Sequence, residues 1–202
     1  MADLPIALPD GLDATLSRVL DVEGKLPRAL EALGPVSGRD VLLVSEMDGL
    51  RAQQLRELGA RVTVAAGGPD GFAVPDASAD VVVSFWSSFR GVTPAEISEA
   101  NRVLRPGGRL LVVHDYGRDD VSHLLGELPE YGAWSRRSGP FMRDGFKVRV
   151  VHSFWTFVSA EECSAFLAAA FGGPGEEVAA GLKRPRLSYN VAIYHRTFGE
   201  AA

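Results

Sequence analysis

The stretch that decides the fold is "VPDASADVVVSFWSSFRGVTPAEISEANRVLRPGGRLLVVHD", residues 74–115. It contains two short apolar runs, "DVVVSF" (80–85) and "RLLVV" (109–113), which lack the polar alternation of a half-exposed strand. Such runs are typical of strands covered on both faces, as in a parallel sheet flanked by helices. The segment between them predicts a helix, because Thr93 can serve as N-cap and Glu96 completes a capping box.

Short apolar runs separated by a predicted helix also occur nearer the N-terminus. "VLLV" (41–44) and "RVTVAA" (61–66) predict two more buried strands. They are joined by "GLRAQQLREL" (49–58), a predicted helix that Asp48 is expected to cap. Repetition of strand, helix and strand is the doubly wound α/β pattern, so we predict an α/β fold with a Rossmann-like sheet.

Both ends of the chain extend this core. Leucines and a valine at helical spacing predict two short helices before residue 36, so we expect an N-terminal helical segment (1–35) and an α/β domain (36–202). The last third predicts a strand, a helix and a strand that supply the far edge of the sheet. In chain order we predict a helix (119–128), a loop (131–145), a strand (146–157), a helix (159–172), a loose segment (172–177) and a strand (187–198).

Composition narrows the class of protein. The chain has 202 residues, 46% of them hydrophobic and 23% charged, as is usual for one globular domain. A formal charge of -5 predicts neither nucleic acid nor an anionic membrane as a partner. The single cysteine, Cys163, excludes an internal disulfide, and no metal-ligand spacing occurs. Because the start has no signal-peptide pattern and no apolar stretch could span a bilayer, we expect a cytoplasmic protein.

Residues 36–117 resemble the core of the class I S-adenosylmethionine-dependent methyltransferases. In that family a P-D-x-S-x-D run leads into the fourth strand and L-R-P-G-G-R-L leads into the fifth, as "PDASAD" (75–80) and "LRPGGRL" (104–110) do here. The resemblance implies methyl transfer from S-adenosylmethionine to a small molecule or a protein. The second motif supports the fold rather than the activity, because its glycines only turn a helix into a strand.

The family's cofactor turn is altered in this sequence. A family member reads D-x-G-x-G-x-G, whereas "VLLVSEMDG" (41–49) has Leu43 at the acidic position and Ser45 and Met47 at two glycine positions. Side chains at these two positions occupy space that a close backbone contact with the cofactor needs. If the cofactor binds, the resemblance places it against the following residues: Ser45, Glu46, Asp48, Gly49, Ala66, Asp76 and Ser84.

For two of these candidate cofactor residues, a structural role is the alternative to ligand binding. Glu46 and Asp48 could coordinate an amino group of the ligand at the start of the helix. Our preferred interpretation is that Asp48 is only an N-cap and that Glu46 faces water.

The second strand lacks the family's ribose contact. The family ends this strand with an acidic residue, whereas Ala65 and Ala66 offer no side-chain acceptor. Only 13 residues (67–79) then precede Asp80, and a parallel crossover alone takes about a dozen. We therefore predict that the family's third strand is missing, with the adenine pocket absent or rebuilt. An active enzyme would need replacement contacts, for example from Asp70, Asp76 or the N-terminal helices.

Chemically capable side chains follow the central strand. His114, Asp115 and Tyr116 lie at its carboxyl end, where open α/β sheets bind ligands, and are the candidate catalytic residues. A histidine beside a carboxylate could act as a general base. The alternative is a turn in which Asp115 or Asp119 caps the next helix.

Aromatic and basic residues have less specific interpretations. Trp86 and Tyr116 are candidate substrate-binding residues, whereas Phe85 is expected in the core. For Cys163 we expect a buried structural thiol, and for His152, Trp155 and His195 simple packing. A basic group could meet an anionic substrate or an acidic partner, or could be a solvated loop: Arg136, Arg137, Arg143, Lys147 and Arg149.

Two functions remain open from the sequence. The first is a methyltransferase with a degenerate cofactor site. The second, which the altered turn, ribose position and crossover favour, is a non-catalytic relative that serves as a binding or assembly module. In either case the missing strand leaves the second strand as an exposed edge, which predicts a homodimer or a protein partner across that edge.

Overall fold

The computed structural model describes residues 4–46, 48–67, 71–126 and 128–199. These residues form a six-stranded sheet of order β2-β1-β3-β4-β6-β5. The first four strands run parallel, whereas β6 is antiparallel to both β4 and β5. The strands are β1 (Asp40–Val44), β2 (Arg61–Ala65), β3 (Ala79–Phe85), β4 (Leu104–Asp115), β5 (Lys147–Thr156) and β6 (Arg186–Thr197).

Helices cover both faces of the sheet, which confirms the doubly wound α/β prediction. They are α1 (Asp13–Val19), α2 (Lys25–Leu33), α3 (Leu50–Glu57), α4 (Pro94–Val103), α5 (Asp120–Leu124), α6 (Pro129–Ala133), α7 (Pro140–Arg143), α8 (Ala160–Phe171) and α9 (Gly173–Gly181). One core joins α1, α2, α3 and α8 to the sheet, and the other joins α4 and α7 to its opposite face. Within the described ranges, no helix has the length and apolar character needed to cross a membrane.

The central strands are buried as their sequences predict. Val81, Val82 and Val83 of β3 are at most 3% exposed, because side chains on both faces of a parallel sheet meet helices. The capping box of α4 also forms as predicted. The Thr93 hydroxyl accepts a hydrogen bond from the Glu96 N–H, and the Glu96 carboxylate accepts one from the Thr93 N–H.

The family's third strand is missing from the described residues, as predicted. β2 is the outermost strand on its side, and residues 66–67 and 71–78 form no helix or strand before β3 begins. This segment still has to cross β1 to reach β3, because β1 lies between the two strands. The described residues of this crossover, 66–67 and 71–78, are irregular, so their backbone groups need hydrogen-bond partners outside a helix or strand.

The Arg102 side chain of α4 supplies two of those hydrogen bonds. Its Nη1 donates to the Val74 carbonyl at 2.9 Å and to the Asp76 carboxylate at 2.7 Å, and its Nη2 donates to the Phe72 carbonyl at 2.9 Å. Glu99 adds a further hydrogen bond to the crossover and orients Arg102. Its carboxylate accepts from the Phe72 N–H at 2.7 Å and from Arg102 Nε at 2.8 Å. The pair holds the irregular crossover where a helix would otherwise cover the sheet.

Three local predictions were wrong. Gly49 rather than Asp48 is the N-cap residue of α3. The Asp48 carboxylate instead forms an ion pair with Arg56, which lies in the last turn of the same helix, with 2.6 Å between Oδ1 and Nη1. The predicted loop 131–145 contains the end of α6 and the whole of α7, which are both short helices. The predicted loose segment 172–177 is the N-cap and first part of α9. Gly175 lets this helix approach the Leu167 carbonyl so closely that an added Cβ would lie 2.0 Å from it. Glycine disfavours helices locally, so this tertiary contact was not visible in the sequence.

Removing the Arg102 side chain should destabilise the fold. We expect Arg102→Ala to lower the free energy of unfolding by about 2–3 kcal/mol, because it leaves two crossover carbonyls and Glu99 without their charged donor. Urea unfolding followed by circular dichroism measures this loss. Arg56→Ala, which removes only the exposed pair with Asp48, is the control and should shift the midpoint far less. Equal shifts of the urea midpoint for the two variants would show that the hydrogen bonds of Arg102 to the crossover do not stabilise the fold.

Candidate functional site

A groove of about 220 Å³ lies at the carboxyl ends of β1, β2 and β3. The strand order reverses between β1 and β3, and open α/β sheets bind their ligands outside such a switch point. The residues that line the groove are Val44, Ser45, Glu46, Ala66, Gly67, Trp86, Ser87 and Ser88. It therefore occupies the place where the resemblance implies a cofactor.

Three of the expected cofactor residues meet in this groove: Ser45, Glu46 and Ala66. Ser45 is buried, and its N–H donates to the Ala65 carbonyl at 3.1 Å, which ties the turn after β1 to the end of β2. Glu46 is exposed. Met47, whose side chain was expected to obstruct the cofactor, lies outside the described residues.

The other expected cofactor residues do not line the groove. Asp48 pairs with Arg56 and Gly49 begins α3. Ser84 is fully buried beneath the groove, where its hydroxyl donates to the Phe89 carbonyl at 2.8 Å and shares a hydrogen bond with Ser87. Asp76 is engaged by Arg102 on the crossover, and Asp70 lies outside the described residues.

The described groove does not fit S-adenosylmethionine in the way the resemblance implies. Its volume is below the range of about 300–1,000 Å³ that is usual for small-molecule sites. Ala66 and Gly67, at the end of β2, have no side-chain acceptor for the two ribose hydroxyls. The described polar side chains of the groove are Ser45, Glu46, Trp86, Ser87 and Ser88, and none of them lies on β2.

Trp86 closes one side of the groove and is held by Asp115. The indole Nε1 donates to the Asp115 carboxylate at 3.0 Å. Trp86 also has a φ of 43°, a left-handed backbone conformation that is uncommon outside glycine and asparagine. The buried guanidinium of Arg51 lies 5.3 Å from the Trp86 ring centroid, close enough for a cation–π contact. These contacts fix the indole against the groove.

Asp115 lies in a cage of hydrogen-bond donors. Besides Trp86, the hydroxyls of Tyr131 (3.3 Å) and Tyr189 donate to its carboxylate, which is 4% exposed. Burial raises the pKa of Asp115 to about 6, although the three donors act in the opposite direction. The carboxylate is therefore used to organise neighbouring side chains.

His114 faces the opposite side of the sheet, because successive side chains of a strand alternate. Its ring contacts Trp134 edge to face at 4.4 Å between centroids, and the guanidinium of Arg90 lies 4.4 Å from the same indole. Burial, and then the charge of Arg90, lower the pKa of His114 to about 4. The imidazole is consequently neutral at pH 7 and a weak base.

The three candidate catalytic residues do not converge on one space. Asp115 belongs to the face that carries α1 and α2, whereas Tyr116 packs with the core on the face of His114. Asp119, one of the two expected caps, does cap α5 by accepting from the Ser122 N–H at 2.7 Å. Asp115 has no such role.

Several residues of this region were missed by the sequence analysis. The sequence places Tyr131 in a predicted loop, and for Arg51 it predicts only a position on a helix. Tyr189 could have been found, since alternation along the last strand places it with the buried Val191 and Ile193.

The remaining candidates have structural or surface positions. Trp155 is fully buried and Cys163 is buried with its pKa raised to about 11 by burial, which agrees with packing and a structural thiol. His152 was expected to pack but is exposed, with its Nδ1 2.7 Å from the Asn190 side-chain oxygen.

Burial lowers the pKa of the half-buried His195. Among the described residues, no three His, Cys, Asp or Glu side chains form a metal-binding cluster.

The sheet order and the ligand-end groove together define the fold of the class I S-adenosylmethionine-dependent methyltransferases, without its third strand. A proposed type II methyltransferase from Anaeromyxobacter dehalogenans is similar in structure, with a TM-score of 0.52 and 18% identity over 85% of this chain and 94% of that one. A proposed methyltransferase of an antibiotic biosynthesis pathway from Anabaena variabilis has a TM-score of 0.53 and 13% identity over 88% and 98% of the two chains. No family model and no curated protein sequence matches the chain.

Asp115 and His114 should make opposite contributions to stability between pH 4 and 6.5. The folded pKa of Asp115 is about 6 against an ordinary 3.8, so the folded state binds more protons in that window and this contribution falls as pH rises. The folded pKa of His114 is about 4 against 6.5, so its contribution rises with pH. The two slopes largely cancel in the unmodified chain.

Single variants should expose each slope. The free energy of unfolding of Asp115→Asn minus that of the unmodified chain should increase by about 2–3 kcal/mol as pH rises from 4 to 6.5. The same difference for His114→Gln should decrease by about as much. Urea unfolding at half-unit pH intervals provides the two difference curves. Two flat difference curves would show that both groups titrate normally in the folded protein, and curves of the same sign would contradict one of the two pKa shifts.

Proposed function

We propose that this chain is a non-catalytic member of the methyltransferase fold that serves as a binding and assembly module. The observation that supports this proposal is the composition of the groove, which has Ala66 and Gly67 at the ribose position and the fixed Trp86 indole opposite. A small groove without the ribose acceptor holds an adenosyl group poorly. The protein then acts through its surfaces.

The missing acceptor has a large effect on affinity. A hydrogen bond to a charged group contributes about 1.5–3 kcal/mol, and an acidic residue at this position would accept two from the ribose. The loss of both weakens binding by roughly 3 kcal/mol or more, which corresponds to at least about a hundredfold in Kd. The Ser45 side chain adds a steric cost at the position where the resemblance implies a glycine.

The second candidate function is methyl transfer from S-adenosylmethionine to a small molecule or a protein. The position of the groove at the switch point favours it, because that is where this fold binds its ligands. It requires ribose and adenine contacts that the groove-lining residues do not supply.

Calorimetric titration separates the two functions. We expect no heat of binding with S-adenosylmethionine or S-adenosylhomocysteine up to about 100 μM, because the acceptor at residue 66 is lacking. Light scattering on the same samples records the oligomeric state. Micromolar binding of either compound by a monomer would refute the proposal and favour the enzyme.

The β2 edge is the assembly surface in this proposal. The Arg61 N–H donates to the Arg39 carbonyl and the Ala65 carbonyl accepts from Ser45, so these residues bond towards β1. By alternation, the backbone groups of Val62 and Val64 point away from β1, at the open side of the sheet. A second copy is the proposed occupant, because an edge that is open in one copy is open in every copy and can pair about a two-fold axis.

Two proline variants test this edge. Val64→Pro removes a donor that points outwards, so we expect the dimer to dissociate while the monomer remains folded. Thr63→Pro is the control, since the Thr63 N–H faces β1 and its loss should lower thermal stability. Light scattering and thermal unfolding report the two effects. A monomeric unmodified protein at about 100 μM, or a Val64→Pro variant that remains dimeric, would contradict the β2 interface.

A further inference from the structure

A second and larger groove lies at the other edge of the sheet, between α2 and β5. Its volume is about 450 Å³, roughly twice that of the groove beside Trp86. We call it the α2–β5 groove. The residues that line it are Lys25, Arg28, Ala29, Ala32, Leu33, Arg149, Val150, Val151 and His152.

Part of the β5 edge is open along this groove. β5 is the outermost strand. Among the described residues, bonds from outside the sheet reach it at one end, where Leu20 forms an isolated bridge with Trp155. There Lys25 Nζ donates to the His152 carbonyl at 2.9 Å and the Asp21 N–H donates to the Phe154 carbonyl at 3.1 Å. By alternation, the N–H and C=O groups of Val148 and Val150 also point outwards. No described residue hydrogen-bonds to these four groups. They are positioned to receive an added strand.

The helix leaves space beside that edge. The groove residues of α2 follow the spacing of one helical face, and two of them, Ala29 and Ala32, have the shortest side chains that a helix commonly carries. Val151 forms the strand side of the floor and is 7% exposed. Apolar side chains of an added strand can therefore lie between α2 and β5.

The charge of the groove selects an acidic occupant. Lys25 is neutralised by Glu23, whose carboxylate lies 2.7 Å from its Nζ. Arg28 on the helix and Arg149 on the strand are exposed, and neither side chain forms a hydrogen bond or ion pair with a described residue. The charge of Arg28 helps to lower the pKa of Glu23, so Arg28 has an acidic neighbour beyond ion-pair distance. Two exposed cations on opposite walls of the groove still stand out in a chain of net charge -5. They can each take a carboxylate of the occupant.

We propose that the α2–β5 groove binds an extended acidic peptide segment of a partner protein, which adds to the β5 edge as a further strand. Backbone bonds to Val148 and Val150 supply affinity, and the two arginines supply selectivity for acidic side chains. This inference does not rest on the proposed function, because it uses neither the β2 edge nor the groove beside Trp86. The alternative is that the cations only protect the edge from aggregation.

Fluorescence anisotropy with labelled model peptides tests the proposal on the full chain. The probe is Glu-Val-Glu-Val-Glu-Val, and Lys-Val-Lys-Val-Lys-Val is the charge control. Two further acidic peptides carry N-methyl groups on alternate amides, one on the glutamates and the other on the valines. We expect the acidic probe to bind with a Kd below about 1 mM, and only one of the methylated forms to lose binding, because one set of amides faces β5.

Charge reversals locate the site. Arg149→Glu and Arg28→Glu should each weaken binding of the acidic probe about tenfold, whereas Arg39→Glu, which makes the same change in net charge beside β1, should alter it less than twofold. Amide NMR shifts should change at Val148, Val150 and His152. No binding up to 1 mM, equal binding of acidic and basic peptides, equal effects of all three reversals, or equal loss from both methylated forms would each overturn the proposal.

Discussion

The length of chain between β2 and β3 is the constraint on which the other features of this molecule depend. A parallel crossover needs about a dozen residues, so residues 66–78 can pass over β1 but cannot also add a helix and a strand. Arg102 and Glu99 then bond the crossover to α4 through the Phe72 N–H and the carbonyls of Phe72 and Val74. As a result β2 is outermost, and the part of the fold that would surround an adenine ring is not built from the described residues.

The ligand end of the sheet has polar groups, but the strand geometry separates them. Alternation along β4 places Asp115 and His114 on opposite faces, so a proton cannot pass between their side chains. Each is committed to its own aromatic neighbours: Asp115 to three donor side chains, and His114 to Trp134. Their pKa values move towards each other's ordinary range for the same reason, which is that burial favours the neutral form of both an acid and a base.

Sequence patterns predicted those parts of the fold that depend on local spacing. The apolar runs of β1, β3 and β4 and the capping box at Thr93 require only neighbouring residues, and the missing third strand follows from a chain length. The cage around Asp115 could not be predicted in this way, because Trp86, Tyr131 and Tyr189 come from three separate segments. The same holds for α9, whose glycines disfavour a helix until Gly175 packs against α8.

The two edges of the sheet differ in what they can accept. At β2 the charge of Arg61 is compensated by Asp40, whose carboxylate lies 2.6 Å away, and Val62 and Val64 carry no charge, so two copies can approach without repulsion. At β5 the exposed Lys147 and Arg149 would face their own copies in a paired edge, and like charges across a strand pair are destabilising. The basic edge therefore disfavours self-association and fits an acidic strand from another protein. One sheet can in this way present a self-complementary edge and a partner-specific edge without competition between them.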